Sequence, residues 1–190
     1  CIRDSICTGR KVKKGQEVIP LDIRNQVALK ELINTTAPDI LINLAAMTNV
    51  DACELNPKLA GEINVAGLEH ICDSFKGKII HLSTDYVFDG TSGPYKEDDP
   101  INPISIYGKT KLASEHILLE KDIKNLIIRG NVLYDYSPHT SASFLNWVVS
   151  SLKGNQEIKV VEDQFNNPTW TRSMSDIIKL SIENDLEGIL

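Results

Sequence analysis

The chain has 190 residues, 42% of them hydrophobic and 24% charged, which is the composition of an ordinary globular domain. Its formal net charge of −6 argues against general nucleic-acid binding, and its apolar runs are shorter than the roughly 18 residues of a membrane span. The four cysteines, Cys1, Cys7, Cys53 and Cys72, show neither C-x-x-C spacing nor a cluster with histidine. We therefore expect free thiols, no metal site, and a cytoplasmic protein that binds neither nucleic acid nor a membrane.

Apolar runs typical of buried parallel strands alternate with helical patterns along the chain. Strands are predicted over 5–8, 17–21, 39–46, 78–83, 123–129 and 157–161, and the chain stops at the entry to another. Helices are predicted over 25–36, 57–75 and 144–152, around residues 107–111, and from about 175 onwards. Glycines and prolines make 89–105 a loop. The alternation predicts an α/β fold with a Rossmann-like, doubly wound parallel sheet.

A glycine-rich phosphate loop is the missing element of this pattern. Thr8, Gly9 and Gly15 imitate part of it, but 9–15 leads directly into the next predicted strand and leaves no room for the helix that the motif needs. Because the chain starts at Cys1 without Met, we expect that it is a fragment and that the first β–α unit is missing.

Tyr107 and Lys111 are four residues apart, so on a helix they share one face. A neighbouring ammonium lowers the pKa of a tyrosine from about 10, which suits a phenol to donating a proton to a carbonyl that receives a hydride. The hydroxyl of Ser83 or Thr84, at the end of a predicted strand, could hold that carbonyl. The plain alternatives are a solvated Tyr–Lys pair and a threonine that caps a turn.

Several sequence blocks occur in one order: 21–23 (Leu-Asp-Ile), 38–54, 83–90 (Ser-Thr-Asp-Tyr-Val-Phe-Asp-Gly), 94–95, 107–111 with Glu115, 163–164 and 168–169. Together they resemble the extended short-chain dehydrogenase/reductases, and within them the dTDP-4-dehydrorhamnose reductases. The resemblance implies an N-terminally incomplete NAD(P)-binding Rossmann-like domain over 1–134. Over 135–190 it implies elements of a small C-terminal substrate domain, mixed with the last Rossmann elements and C-terminally incomplete.

The same resemblance implies a function and a set of site residues. The reaction would be NAD(P)H-dependent reduction of a 4-keto-6-deoxy nucleotide sugar, with a homodimer as one possible assembly. The catalytic set would be Thr84, Tyr107 and Lys111, with Tyr107 donating the proton to the C4 oxygen. The cofactor would contact Asp22, Ile23, Ala45, Ala46, Met47 and Thr48 as well as Tyr107 and Lys111, and the substrate would contact Thr84, Asp85 and Val132. The family often has a tryptophan near Val132, so the identity of the sugar stays open.

Arg10 follows the first predicted strand, where the adenine ribose would lie. It can pair with a 2′-phosphate, which favours NADPH over NADH, although a solvated basic turn is nearly as plausible. Asp22 is as good a candidate for the N-cap of the helix over 25–36 as for an adenine contact. Ala46 and Met47 can equally be ordinary core residues at a strand end.

Two other functions use similar blocks. A regulatory subunit resembling the methionine adenosyltransferase β subunit would keep the fold and act on a partner enzyme. An epimerase of the same superfamily would oxidise and re-reduce its sugar with tightly held NAD. The set of Thr84, Tyr107 and Lys111 favours an enzyme, Arg10 favours the reductase, and the missing phosphate loop favours the regulatory subunit.

Overall fold

The computed structural model describes residues 5–12, 15, 17–136 and 144–190. Cys1, for which a free thiol is expected, lies outside the described residues. The chain divides into two compact units, the first comprising Cys1–Ile128 with Glu187–Leu190 and the second Arg129–Leu186. The assignment of 1–134 to a cofactor domain and of 135–190 to substrate-domain elements stays a prediction.

Along the chain, two short strands are followed by helices and further strands. The strands are β1 (Thr8–Gly9), β2 (Ile19–Pro20), β3 (Ile40–Asn43), β4 (Lys78–Thr84), β5 (Asn125–Gly130), β6 (Leu133–Tyr134), β7 (Thr169–Trp170) and β8 (Gly188–Ile189). The helices are α1 (Gln26–Thr36), α2 (Val50–Leu55), α3 (Pro57–Gly61), α4 (Gly67–Ser74), α5 (Ile106–Glu120), α6 (Phe144–Lys153) and α7 (Thr171–Glu183).

The main sheet of the first unit has the strand order β3-β4-β5-β8. Strand β3 pairs in parallel with β4, and β5 pairs in parallel with β8, while β1 and β2 form a separate parallel pair. Six of the seven residues of β4 are buried, as expected for a central strand of a parallel sheet. The predicted α/β architecture with parallel strands is therefore confirmed.

One apolar cluster joins this sheet to three helices. Helix α1 contributes Leu29 and Ile33, α4 contributes Leu68, Ile71 and Cys72, and α5 contributes Leu118. The strands contribute Ile79 and Ile127. On α1 and α4 the contributing residues recur at three or four positions, which is the spacing of one helical face. The cluster fixes α5, the helix of Tyr107, against the sheet.

The helix predicted over 57–75 contains an irregular segment. Its first part, α3, is followed by a π-helical stretch, Glu62–Ala66, and then by α4, with the backbone at both junctions right-handed and helical. Pro57 at the start suits the first turn, where no backbone N–H is needed. A π-helical insertion shifts the side chains that follow it, and here it includes the buried Asn64.

Three sequence-based predictions about local structure are wrong. The strand predicted over 157–161 is irregular, and Val160 and Val161 are 57% and 61% exposed. Helix α7 begins at Thr171 rather than near residue 175. The N-cap of α1 is Asn25, whose side chain accepts the Ala28 N–H, so the interpretation of Asp22 as this cap is wrong.

The second unit contains the short parallel pair of β6 and β7 with helices α6 and α7. Met174 of α7 is buried, and its Cε lies 3.0 Å from the point where a Cβ on Gly130 would be. Across the described ranges, every helix is too short or too polar to cross a membrane.

Candidate active site

Thr84 and Asp85 lie where β4 ends. Thr84 is buried, and its Oγ1 accepts the Tyr86 N–H at 3.2 Å and donates to Asp85 Oδ1 at 3.2 Å. Thr84 is thus the N-cap of a 3₁₀ turn, Asp85–Val87, so the plain interpretation of a capping threonine holds. The Thr84 side chain also forms a hydrogen bond with Tyr107 of α5.

Tyr107 lies in the first turn of α5, which begins after Ser105, whose Oγ accepts the Gly108 N–H at 3.0 Å. Its ring is buried and meets the Tyr86 ring edge to face, with the centroids 5.6 Å apart. Burial raises the pKa of the Tyr107 phenol, a hydrogen bond with the Thr84 side chain opposes this, and the Asp85 charge adds to the rise. The phenol, hydroxyl and carboxylate therefore share one site.

The lowered tyrosine pKa expected from the Tyr–Lys spacing is wrong for this structure. Lys111 is 1% exposed, and its Nζ donates to the Leu82 carbonyl at 2.6 Å and lies 2.9 Å from His81 Nε2. Burial lowers the pKa of Lys111 to about 8, against the opposing charge of Glu115. Helical spacing predicts the face that Lys111 occupies, but the long side chain turns its ammonium towards β4 rather than towards the phenol.

Behind the site lies a buried polar network that the sequence analysis missed. Its members are Asn43 on β3, His81 and Ser83 on β4, and Ser114 and Glu115 on α5, all of them at most 6% exposed. The Ser83 hydroxyl donates to Glu115 Oε1, so of the two candidate hydroxyls only Thr84 is turned towards Tyr107. His81 and Ser83 are polar residues inside a strand predicted to be buried. Because a buried polar group needs hydrogen-bonding partners, these two residues could have indicated the network from the sequence.

The segment proposed to line the cofactor, residues 45–48, follows β3. Ala45 and Thr48 are exposed, whereas Ala46 and Met47 are half-buried. The Met47 N–H donates to Asn64 Oδ1 at 2.7 Å, and the Met47 side chain packs on the cluster that contains Tyr107. The Met47 side chain is therefore part of the core, as the plain alternative predicts, while its contact with a cofactor stays a prediction.

Asp22, Ile23 and Arg10 form a second group of predicted site residues. Arg24 donates to both carboxylate oxygens of Asp22, at 2.6 Å to Oδ2 and 3.0 Å to Oδ1, and this pairing lowers the pKa of Asp22 to about 2, with a contribution from the charge of Arg10. Ile23 packs so closely on α4 that a Cβ at Gly67 would lie 2.5 Å from its Cδ1. Arg24 is a further residue here that the sequence analysis missed.

Val132 belongs to the second unit. It has a positive φ of 28° and is 40% exposed, and its carbonyl accepts the Thr169 N–H at 3.3 Å. A β-branched residue rarely adopts a positive φ, so the backbone around it must hold it there. Its role towards a substrate stays a prediction. Within the described ranges, no three His, Cys, Asp or Glu side chains are grouped so that they could hold a metal ion.

Comparison with known proteins identifies the family. The sequence profile of the RmlD substrate binding domain matches residues 6–188. The chain belongs to this family. It is similar to the dTDP-4-dehydrorhamnose reductase of Aggregatibacter actinomycetemcomitans, with 34% identity over 88% of this chain and 58% of that protein. It is also similar to the spore coat polysaccharide biosynthesis protein SpsK of Bacillus subtilis, with 35% identity over 90% of this chain and 63% of that protein.

A solved structure similar to this RmlD-family chain is the dTDP-4-dehydrorhamnose reductase of Bacillus anthracis in complex with NADP. It has a TM-score of 0.84 and 30% identity, covering 97% of this chain and 72% of that chain. The expected Rossmann-like fold and the expected family are thereby confirmed. The chain spans about three fifths of the length of the two curated relatives.

Proposed function

We propose that this chain takes part in the NAD(P)H-dependent reduction of a 4-keto-6-deoxy nucleotide sugar, with NADPH favoured. The observation that carries the proposal is the buried Tyr107 phenol beside Thr84 and Asp85 at the end of β4. The names of the two reductase relatives and the NADP bound to one of them support it.

The residues present fit the two ends of a dinucleotide. Lys111 lies one helical turn from Tyr107, and its amine would donate to a ribose hydroxyl after turning from the Leu82 carbonyl, while the Asp22 carboxylate can accept a hydrogen bond. Arg10 lies close enough to influence Asp22, so a 2′-phosphate in this region would meet a cation. The bound cofactor would supply the hydride, and residues 45–48 would border its middle.

The chain's own residues would handle the carbonyl oxygen and its proton. The Thr84 hydroxyl can rotate from Asp85 to the ketone oxygen and hold it beside the phenol. Because burial raises its pKa, Tyr107 stays protonated at neutral pH and can donate its proton as negative charge develops on that oxygen. We assign no proton transfer to Asp85, which would position Thr84 and the sugar.

The remaining assignments belong to the same proposal. Residues 1–134 would bind the cofactor, 135–190 would contribute to the substrate domain, and Val132 would border the sugar. The free thiols of Cys53 and Cys72 suit a reducing compartment, which supports a cytoplasmic location. A homodimer is part of the proposal as the expected assembly.

The test is turnover with a dTDP-linked 4-keto-6-deoxy sugar and NADPH, followed by identification of the sugar product. Consumption of one NADPH for each 4-hydroxy sugar formed is the expected result. Epimerised sugar without net NADPH consumption would indicate the epimerase instead. NADPH binding without any change in the sugar would contradict the reductase proposal and favour the regulatory subunit.

A further inference from the structure

His81 is enclosed by hydrogen-bonding groups from both sides. It is 1% exposed, and its register partner on β3 is Asn43, so the two side chains lie next to each other across the parallel pair. Asn43 Nδ2 is 3.1 Å from His81 Nδ1, while Ser114 Oγ and Lys111 Nζ lie 3.2 Å and 2.9 Å from His81 Nε2. Burial keeps the imidazole neutral, since it lowers the pKa of His81 well below its usual value.

The orientation of the Asn43 amide decides which imidazole nitrogen carries the proton. Asn43 Oδ1 accepts the Ala45 backbone N–H at 3.1 Å, and a backbone N–H can only donate. The amide nitrogen of Asn43 therefore faces His81 and donates to Nδ1. A neutral imidazole that accepts at Nδ1 must carry its proton on Nε2.

This tautomer conflicts with a charged Lys111. The Ser114 hydroxyl donates to the Lys111 carbonyl at 2.6 Å, so its oxygen can accept the Nε2–H of His81. An ammonium has no lone pair, so it cannot accept from the same N–H, whereas a neutral amine can. The other tautomer would accept from the ammonium, but its Nδ1–H would then face the N–H of Asn43. The ring cannot satisfy Asn43 and a protonated Lys111 together.

We propose that His81 is a positioning residue whose tautomer, selected by Asn43, sets how readily Lys111 gives up its proton. This rests on the proposed function only in giving Lys111 a role in the reaction. Among the described residues, the titratable groups facing Lys111 are His81 from β4 and Glu115 from its own helix, and Glu115 is held by the Ser83 hydroxyl. Since Glu115 favours the charged form, His81 is the neighbour that can favour the neutral one.

The first test is ¹⁵N NMR of the histidine rings in the protein, with the His81 signals assigned by their loss in His81→Phe. The expected spectrum shows a protonated Nε2 and an unprotonated Nδ1. A protonated Nδ1 would overturn the proposal. This measurement needs no substrate and no turnover, so it stands even if the reductase assignment fails.

The second test changes the group that selects the tautomer. Asn43→Asp keeps an acceptor for the Ala45 N–H and replaces the donor facing Nδ1 by an acceptor, so the imidazole proton should move to Nδ1 and free Nε2 to accept from Lys111. The titration midpoint of Lys111, followed by NMR of labelled lysine and assigned with Lys111→Met, should rise by roughly one pH unit. In an active enzyme, the pH at which the rate declines on the basic side of the pH–rate profile should increase by a similar amount.

A double-mutant cycle separates the tautomer from the new carboxylate's charge. If the charge of the new carboxylate acts directly, Asn43→Asp still raises the titration midpoint of Lys111 when His81 is replaced by Phe. If it acts through the imidazole tautomer, the midpoint no longer changes in that background. A shift that is lost in the His81→Phe background supports the proposal, and an equal shift in both backgrounds overturns it. Asn25→Asp, the same substitution at an exposed helix cap, is the control and should leave the His81 signals in place.

Discussion

Asn64 holds both polar groups of the Met47 backbone. Its Oδ1 accepts the Met47 N–H at 2.7 Å, and its Nδ2 donates to the Met47 carbonyl at 3.2 Å and to Thr110 Oγ1 at 2.9 Å. Thr110 in turn donates to the Tyr107 carbonyl at 2.8 Å. One side chain from the π-helical stretch therefore connects the loop after β3 to the helix of the candidate acid.

We expect Asn64→Asp to destabilise the protein by about 1–3 kcal/mol, because a carboxylate cannot donate to the Met47 carbonyl or to Thr110 Oγ1 and brings a charge to a buried position. The free energy of unfolding from urea titration measures this, and affinity for NADPH should fall as well. Asn25→Asp is the matched control and should change stability by less than about 0.5 kcal/mol. Equal stability of the two variants would contradict the role assigned to Asn64.

Tyr107→Phe should preserve the fold and reduce kcat by about 10²–10⁴-fold, because the ring still packs while the proton donor is lost. Tyr86→Phe is the matched control, since it removes a hydroxyl from the ring that contacts Tyr107. Steady-state kinetics with the 4-keto sugar would show the difference. Near-normal turnover by Tyr107→Phe would rule out its role as the acid.

The buried ammonium of Lys111 predicts a pH dependence of stability. Its pKa falls from 10.5 to about 8 on folding, so between these values the unfolded chain binds the proton more tightly and the free energy of unfolding rises with pH. Below pH 8 the full penalty of about 3 kcal/mol is present. Lys111→Met should remove this slope.

Urea titrations at about pH 7.5 and 9.5 test that sign. The parent protein should gain about 2 kcal/mol over Lys111→Met across this interval. Lys109→Met, which removes an exposed ammonium from the same helix, controls for the loss of positive charge. Parallel curves for the parent protein and Lys111→Met would show that Lys111 does not lose its proton in this range.

Arg10→Ala should reduce the preference for NADPH over NADH by about tenfold, because a charge-assisted hydrogen bond to the 2′-phosphate is lost. Calorimetric affinities for both cofactors measure the ratio. Lys11→Ala removes the neighbouring exposed cation and is the control. If both variants keep the same preference, Arg10 belongs to a solvated basic turn.

Gly108 lets the start of α5 approach the 3₁₀ turn after β4. A Cβ at this position would lie 2.2 Å from the Tyr86 carbonyl oxygen, so Gly108→Ala should destabilise the protein by about 1–3 kcal/mol despite the better helix propensity of alanine. Gly61→Ala is the matched control, because open space surrounds that position and alanine should stabilise the helix by up to about 1 kcal/mol. The midpoint temperature of thermal unfolding should fall for Gly108→Ala and rise for Gly61→Ala.

The sequence predicts those strands and helices whose own residues show a clear hydrophobic pattern. Apolar runs locate β3, β4 and β5. Most of β4 and the middle of β5 are buried, as is typical of apolar parallel strands, whereas β3 is only partly covered. The run over 157–161 looks similar but is exposed, because a strand depends on a hydrogen-bonding neighbour that local composition does not reveal. Helix α2 has only six residues, too few to show a helical period, and the sequence analysis missed it.

The residues of the candidate site divide in the same way. The end of β4 and the first turn of α5 bring Thr84, Asp85 and Tyr107 together. The position of Thr84 at a strand end predicts that it lies at a site, whereas the grouping with Asp85 and Tyr107 was expected from the family resemblance. Where the Lys111 ammonium points depends on His81 and on the Leu82 carbonyl, which are about thirty positions away along the chain. No local pattern could predict that contact. The pairing of Asp22 with Arg24 spans only two positions, so the opposite charges in the sequence were a signal for it.

The pairing of β5 with β8 has a consequence for folding. Leu126 and Ile127 are register partners of Gly188 and Ile189, so about sixty residues, including the whole second unit, are synthesised between two adjacent strands. A ribosome releases β5 well before its neighbour, and during that interval one edge of the sheet has unpaired backbone groups. Such an edge can pair with other chains, so the partly synthesised chain is more prone to association than the folded protein.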